Sequence, residues 1–242
     1  MRVLVFNSKG GCGKSLIARE VIAAPQAEAM VIVEIDTLNT TQLPYKKDFK
    51  SVIELSKHNI SDLLSILNEY DDVVIDVGAD NLTDTLKVLV DYQIFDDIDL
   101  VVIPMTQGRT DCENALQSYS VISQYIKNIM FAFSRYKENE PIDDQYQVFF
   151  SNIEKVGVEK LDEKYITIND SDLFIDAQNA KELVITLALE VNYKEQALEA
   201  KKSGDMDDFH RLMKKELNKR AAKILVDKCI LPAHKKLMAA TS

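Results

Sequence analysis

The residues that decide the fold of this chain are Ser8–Ser15, SKGGCGKS, which stand between an apolar run, Arg2–Phe6, and a segment with helical spacing, Ser15–Ala24. The stretch differs from the phosphate-binding pattern GxxxxGK[ST] only at its first position. Glycines let backbone N–H groups close around phosphate oxygens, and the start of a helix adds a partial positive charge. We therefore predict a nucleotide-binding loop between a strand and a helix.

Two residues of this loop have expected roles of their own. In loops of this kind the lysine bridges β- and γ-phosphate oxygens and the following hydroxyl ligates Mg²⁺, which assigns these roles to Lys14 and Ser15. Cys12 occupies the variable position, where it is either a tolerated small residue or a thiol activated by the helix N-terminus. The predicted nucleotide contacts are Lys9, Gly10, Gly11, Cys12, Gly13, Lys14, Ser15 and Leu16.

Short apolar runs recur along the chain and alternate with helical patterns, which indicates βαβ units and a parallel sheet. Runs such as VVIDV are apolar throughout, as expected for strands covered on both faces. The sequence therefore predicts an α/β fold, a doubly wound and mostly parallel sheet, with a helical C-terminal extension. Besides Arg2–Phe6, the predicted strands are Val31–Ile35, Val73–Val77, Leu100–Ile103, Ile129–Phe133 and Tyr165–Ile168.

The predicted helices follow from spacing and capping residues. Pro25 is expected to end the first helix, and Leu82–Tyr92 has helical spacing. Thr110 and Glu113 form a capping-box pattern at the start of a helix that we expect to reach about Ile126. From Asn179 onward the pattern is helical, with one break at Ser203-Gly204 and Asp205 as the next N-cap. We predict a nucleotide-binding P-loop domain at 1–190 and a helical extension at 191–242 packed on it.

Composition limits the class of protein. The 242 residues are 46% hydrophobic and 28% charged, with a net charge of −10, as in ordinary globular proteins. There is no run of eighteen apolar residues to span a membrane, and the first residues lack a signal-peptide pattern. Three distant cysteines argue against a disulfide framework or a thiolate metal site. We expect a cytoplasmic protein.

The charge is concentrated unevenly along the chain. Residues 194–242 carry 12 basic and 7 acidic side chains, while the rest of the chain carries 17 basic and 32 acidic side chains. A basic stripe spaced by four residues could dock on DNA phosphates without reading bases. Packing on the acidic body and a merely solvated helix remain open as alternatives. The stripe is Arg211, Lys215, Lys219 and Lys223; the expected apolar face beside it is Phe209, Leu212, Met213, Leu217, Ala221, Ile224 and Leu225.

The form KGG-C-GKS, with an additional lysine at Lys9, resembles the deviant Walker A motif of the ParA/MinD superfamily of P-loop ATPases. The resemblance implies that ATP and Mg²⁺ bind here and that Lys9 reaches the partner's nucleotide in an ATP-dependent homodimer. Its chemistry is that of a cation aimed in trans at charge developing on the transferred phosphoryl group. A plain counter-ion role for Lys9 within one subunit stays open.

Two acidic motifs stand where the resemblance requires them. Val33–Asp36 resembles the family's strand that ends in DxD, with Glu34 in place of the first Asp; Asp36 matches the residue that positions the attacking water and helps to hold Mg²⁺. Alternate strand residues point to one side, so Glu34 and Asp36 can both face the nucleotide. Val73–Gly78 resembles a Walker B strand, which implies that Asp76 holds Mg²⁺ and that Gly78 follows the γ-phosphate.

Farther along, the resemblance becomes thinner. Thr106 and Asp111 match the family's fourth-strand exit, whereas Ser134 lies where the family often has an adenine-recognising asparagine. The resemblance covers about residues 1–190 and is dense in motifs only to residue 111.

The resemblance implies a slow, Mg²⁺-dependent ATPase of the ParA type. In this function the ATP dimer binds DNA non-specifically, and hydrolysis stimulated by a separate centromere-binding adaptor releases it, so the protein is nucleoid-associated. A MinD-like positioning ATPase at a membrane or cell pole, or a conjugation accessory ATPase, is the alternative. Residues 231–242 have too few large apolar side chains for a direct membrane anchor.

Overall fold

The computed structural model describes residues 1–36, 40–56, 58–158, 161–189 and 191–241, which form a parallel β-sheet covered by helices on both faces. The sheet has seven strands in the order β3-β2-β4-β1-β5-β6-β7. The strands are β1 (Arg2–Val5), β2 (Val31–Ile35), β3 (Ser51–Leu55), β4 (Val73–Val77), β5 (Leu100–Met105), β6 (Ile129–Tyr136) and β7 (Tyr165–Asn169).

Helices of three kinds connect the strands. The α-helices are α1 (Lys14–Leu16), α2 (Leu63–Glu69), α3 (Leu82–Asp91), α4 (Arg109–Ile122), α5 (Ile142–Gln145), α6 (Gln147–Phe150), α7 (Leu173–Ala180), α8 (Val184–Leu187), α9 (Tyr193–Ser203), α10 (Met206–Leu225) and α11 (Leu231–Ala240). Two π-helical segments are Ile17–Ala23 and Val226–Ile230. Short 3₁₀ turns are Ala24–Gln26, Leu43–Tyr45, Ile60–Asp62, Ala79–Asn81, Ile94–Asp97, Ile153–Val156 and Leu161–Glu163.

Alternating apolar residues fill a separate core on each face of the sheet. In β1, Val3 and Val5 belong to one core, and Leu4 belongs to the other together with Phe6, the residue after the strand. This is the pattern that period-two side chains produce when helices cover both faces. The predicted α/β class and doubly wound, parallel sheet are confirmed.

The strand order places the loop Ser8–Ser15 at the point in the sheet where the order of the strands reverses. The central strand β1 pairs with β4 on one side and β5 on the other, and the chain enters Ser8–Ser15 at its carboxyl end. In open α/β sheets, ligands bind outside the carboxyl ends of strands where the strand order reverses. The phosphate-binding pattern and the topology therefore point to the same place.

Several predicted elements differ from the structure. The strand β3 was not predicted, because it is an edge strand with a partly exposed, mixed pattern that includes Glu54. The predicted capping box is wrong: the N-cap of α4 is Gly108, which has no side chain to cap the helix, and Glu113 instead accepts from Arg109 Nε at 2.8 Å. The helix ends at Ile122 rather than near Ile126.

The C-terminal segment is one continuous helical run over α10, the second π-segment and α11. Asp205 caps it as predicted, because its side chain accepts from the Asp208 amide at 2.9 Å. Additional breaks occur between α7, α8 and α9, so the predicted single break at Ser203-Gly204 is incomplete. The division at residue 190 stays a prediction.

The single apolar face predicted for α10 is divided in the structure. Leu212 and Leu225 are buried, but Leu217 and Ile224 are 62% and 58% exposed. Near its start, α10 packs with α9 in a small cluster around Ala197, Ala200 and Leu212. Its later residues, such as Ala222 and Leu225, join the core of the sheet. None of the helices in the described ranges has the length and apolar character to cross a bilayer.

Candidate nucleotide-binding site

The loop after β1 owes its shape to two glycines. Gly11 and Gly13 have φ angles of 77° and 95°, in the left-handed region that side chains disfavour. A Cβ atom on Gly13 would also lie 3.1 Å from the Ser134 hydroxyl oxygen. The backbone conformation therefore favours glycine at residue 13, and a side chain there would also crowd Ser134 on the neighbouring strand.

Lys14 lies inside this loop rather than in solvent. Its side chain is buried, and Nζ donates to the Lys9 carbonyl oxygen at 2.7 Å. The same lysine lies 4.0 Å from the Cys12 sulfur. Burial raises the pKa of the Cys12 thiol despite the lowering effect of Lys14. A protonated, buried thiol supports the interpretation of Cys12 as a packing residue, since reactivity requires the thiolate.

Asp76, the penultimate residue of β4, lies in a buried polar cluster. Its Oδ2 accepts from Gln42 Nε2 at 2.8 Å, and the Ser15 side chain lies beside it. Burial raises the pKa of Asp76, against the lowering effects of the neighbouring Gln42 and Ser15 side chains and of the Lys14 and Arg19 charges. The other oxygen, Oδ1, has no hydrogen-bond partner among the residues that the structure describes.

Asp36 and Gly78 come together at the ends of two neighbouring strands. The Gly78 amide donates to the Ile35 carbonyl oxygen at 2.8 Å, which continues the β2–β4 pairing beyond the strands. A Cβ atom on Gly78 would lie 2.6 Å from Asp36 Oδ2, a distance that any side chain would have to relieve. The Asp36 carboxylate thus lies directly against the backbone that follows the Asp76 strand.

Glu34 has a different role from the one its position suggested. Its carboxylate accepts from the Thr41 amide at 2.7 Å and from the Gln42 amide at 3.0 Å, and the Thr41 hydroxyl donates to it as well. Burial raises the pKa of Glu34 in spite of these donors. Glu34 is therefore a structural residue that holds the loop around residues 41–42.

The residues at this edge of the sheet fit a hydrated Mg²⁺ ion. Hydroxyl and carboxylate oxygens are its preferred protein ligands, and it keeps several waters. Ser15 and Asp76 supply such oxygens side by side. Within the described part of the chain, Asp76 Oδ1 and Gln42 Oε1 are buried acceptors without a donor, and metal-bound waters carry O–H donors.

Lys9 projects from the other side of the loop. Its amide donates to Asn7 Oδ1 at 3.0 Å, and its Nζ lies 3.7 Å from Asp111 Oδ1, with 40% of the side chain exposed. The Thr106 hydroxyl donates to the other oxygen of Asp111. The structure thus brings together Lys9, Thr106 and Asp111, three residues that the sequence marked separately.

A cavity of about 390 Å³ lies beside the loop. Its walls come from the loop glycines, the end of β6 and the segment that joins β7 to α7. Sequence reasoning singled out Ser134 here but missed Asp170, Asp172 and Phe174. The available signal was their position after the carboxyl end of a parallel strand, where ligand sites gather.

The four residues of the C-terminal basic stripe lie far along the chain from this site, and three of them have partners of their own. The Arg211 side chain pairs with Asp208 and is 59% exposed. The Lys219 ammonium contacts Glu216 at 2.7 Å and donates to the Val191 carbonyl oxygen at 2.8 Å. The Lys215 ammonium lies over the Tyr193 ring, and Lys223 is exposed.

Comparison with known proteins gives a likeness of structure. No protein-family model matches the sequence, and none of the curated proteins matches it. A protein from Borrelia burgdorferi B31 described as a plasmid partition protein, bound to AMPPNP, aligns with TM-score 0.53 and 16% identity over 90% of this chain and 98% of that one.

Two cell-division proteins align in the same way. MinD in the MinC:MinD complex of Aquifex aeolicus gives TM-score 0.52 at 12% identity over 88% of this chain and 95% of that one. The septum site-determining protein MinD of Pyrococcus horikoshii OT3, complexed with Mg-ADP, gives TM-score 0.50 at 13% identity over 75% of this chain and 86% of that one. At these identities the likeness establishes the fold that this chain shares with these proteins, and nothing finer.

Proposed function

We propose that this protein is an ATPase of the partition or positioning kind, which binds ATP with Mg²⁺ at the loop after β1. The observation that carries the proposal is the buried cluster in which Ser15 and Asp76 adjoin and Asp76 keeps one oxygen without a partner. The AMPPNP and Mg-ADP complexes of the structural neighbours support it. A slow, Mg²⁺-dependent hydrolysis of ATP is part of this proposal.

The residues of the site divide the work. Gly10, Gly11 and Gly13 offer backbone donors to the phosphates, and Lys14 supplies a buried positive charge. Mg²⁺, held through Ser15 and Asp76, supplies neutralisation of phosphate charge. Asp36 would orient the attacking water at the same edge of the sheet, a role that its closeness to Gly78 supports. The cavity lined by Ser134 takes the base.

The dimer is the next part of the proposal. Lys9 is the exposed lysine of the loop, and its only carboxylate contact among the described residues is Asp111, at 3.7 Å. A weak contact of this kind can be exchanged for a triphosphate on a second subunit, because exposed ion pairs contribute little. ATP would then hold two subunits together.

Lys9→Ala should therefore abolish ATP-dependent dimerisation and leave nucleotide affinity unchanged. The measurement is light scattering with AMPPNP and with ADP, beside titration of both nucleotides. Lys87→Ala, an exposed lysine on α3, is the matched control. A Lys9→Ala protein that dimerises normally with AMPPNP would show that Lys9 acts only within its own subunit.

As the role of the ATP-dependent dimer we favour non-specific DNA binding, with a separate centromere-binding adaptor that stimulates its release from DNA. The excess of basic residues over 194–242 supports this choice. The cytoplasm, at the nucleoid, is the corresponding location. The experiment is retention of an unrelated-sequence duplex with AMPPNP, with ADP and without nucleotide, at two salt concentrations. DNA binding that is the same in all three nucleotide states would contradict this ATP-dependent role.

A MinD-like positioning role is the second candidate, and one observation favours it. Leu217, Ile224 and Leu231 are exposed and recur every seven residues along the C-terminal helical run. Seven residues are close to two turns of an α-helix, so Leu217 and Ile224 lie on one side of α10. Leu231 is exposed beyond the π-helical segment Val226–Ile230, which changes this spacing. An apolar row of this kind suits a protein partner better than it suits DNA. Absence of duplex binding in every nucleotide state would make this candidate the leading one.

A further inference from the structure

Gln42 is a fully buried glutamine that joins three parts of the nucleotide site. Its Nε2 donates to Asp76 Oδ2 at 2.8 Å and to the Ser15 carbonyl oxygen at 3.0 Å. Its own backbone amide donates to Glu34 Oε2 at 3.0 Å. One residue thus connects the end of β4, the start of α1 and the strand β2.

The chemistry of its neighbours determines which way the amide points. The Ser15 carbonyl oxygen and an ionised Asp76 carboxylate only accept hydrogen bonds, and a glutamine NH₂ has two hydrogens to donate. Exchanging the nitrogen and oxygen of Gln42 would bring oxygen against oxygen at both contacts. The amide is therefore oriented by its surroundings, and Oε1 faces away from both partners.

The consequence for Asp76 is a carboxylate with one oxygen fixed and one available. A charge-assisted hydrogen bond from Gln42 restrains Oδ2. Asp76 Oδ1 and Gln42 Oε1 are both buried and accept no hydrogen bond from any residue that the structure describes. Two buried acceptors without donors carry a desolvation cost, which the water shell of a divalent cation would remove.

We propose that Gln42 is a positioning residue for the metal ion: it orients Asp76 toward Mg²⁺ and accepts a hydrogen bond from a metal-bound water. The inference rests on the proposed nucleotide site and adds to it a residue with no place in the sequence motifs. Because the Gln42 backbone amide donates to Glu34 while its side chain donates to Asp76, one residue links the metal position to the loop around residues 41–42.

The test distinguishes an effect on metal binding from an effect on nucleotide binding. Gln42→Met has similar length and volume but no donor. ADP affinity is measured by calorimetric titration in excess EDTA and again in Mg²⁺, and the ratio of the two affinities is the metal-dependent gain. We expect the affinity in EDTA to stay unchanged and the gain to fall by about tenfold or more, as for other residues that orient metal ligands.

Two further variants make the result specific. Gln145→Met removes another buried glutamine, which bonds to the Lys137 and Glu140 carbonyl oxygens, and should leave the metal-dependent gain intact. Gln42→Asn keeps an amide but is one methylene shorter, so it serves if the methionine variant fails to fold and should show the same loss. Mn²⁺ titrated into the ADP complex and followed by electron paramagnetic resonance reports the ion directly.

The outcomes distinguish this inference from the function on which it rests. Wild-type protein that binds no ADP overturns the nucleotide site and the role of Gln42 together. Wild-type protein that gains affinity with Mg²⁺, while both Gln42 variants keep the same gain, overturns the role of Gln42 alone. Equal losses in EDTA and in Mg²⁺ mean that Gln42 supports the fold and does not position the metal, which also overturns it.

Discussion

The strand ends around Asp76 and the helix α10 are both rich in charged residues, but they hold their charges differently. Lys14, Glu34 and Asp76 are buried and hydrogen-bonded to partners on other segments of the site, from 5 to 34 residues away in the chain. On α10, Arg211 and Lys219 are paired with acidic residues only three positions away. The first region fixes the positions of atoms, whereas the second displays charge on a surface. Substitutions should therefore act on specific chemistry in the first region and in a graded, salt-dependent way in the second.

The largest effect should follow from Lys14→Ala. Removing a buried positive charge from the phosphate site should weaken ADP and AMPPNP binding by about a hundredfold or more. Titration calorimetry measures the affinity, with the exposed Lys87→Ala variant as control. Unchanged affinity would mean that the loop after β1 does not bind phosphate, and the contrast between the two regions would disappear.

An intermediate effect is expected on α10, where the stripe contains its own comparison. Lys215 and Lys223 are exposed and lack carboxylate partners within the described ranges, whereas Arg211 and Lys219 are paired with acidic residues. Lys215→Gln with Lys223→Gln should make the negative slope of log affinity for DNA against log salt concentration less steep by about two. Arg211→Gln with Lys219→Gln should change it less. Equal slopes in the two double variants and the wild type would move the DNA contact off this stripe.

The smallest effect is one of stability. Burial raises the pKa of Asp76 in the folded state. Ionisation of this carboxyl therefore lowers the free energy of unfolding, and protonation at low pH restores it. Asp76→Asn should stabilise the metal-free protein at neutral pH, by about 1 kcal/mol. This advantage should shrink as the pH falls toward the ordinary aspartate pKa of 3.8. Denaturant titration at several pH values measures it; a less stable Asn variant at neutral pH would show that the ionised carboxylate is well compensated.

Sequence reasoning located the strands because most are buried on both faces and are apolar throughout. It missed β3, an edge strand whose pattern is mixed and includes the exposed Glu54. It found α10 and its cap at Asp205, but periodicity alone did not show that Leu217 and Ile224 face outward. Apolar spacing predicts a helix more reliably than it predicts the side that is covered.

The site shows the same division between local and distant information. Lys14, Ser15 and Asp76 follow from motifs, because each lies at a defined place beside a strand. Gln42 has no such signal: its importance arises from contacts with Ser15 and Asp76, which are 27 and 34 residues away in the chain. Likewise Glu34, matched to a motif by position, is bound instead by the loop that follows it.

The C-terminal helical run has a consequence for how the protein is made. Residues from Ala222 to Leu237 share a buried core with Val3 and Val5 of the central strand. During synthesis, the part of that face beside β7 stays open until the second π-segment and α11, which pack on β7, have been made. Exposed apolar surface on a nascent chain promotes aggregation. The strand β7 therefore waits for these helical segments, and a ribosome-bound chaperone would be of most use during that interval.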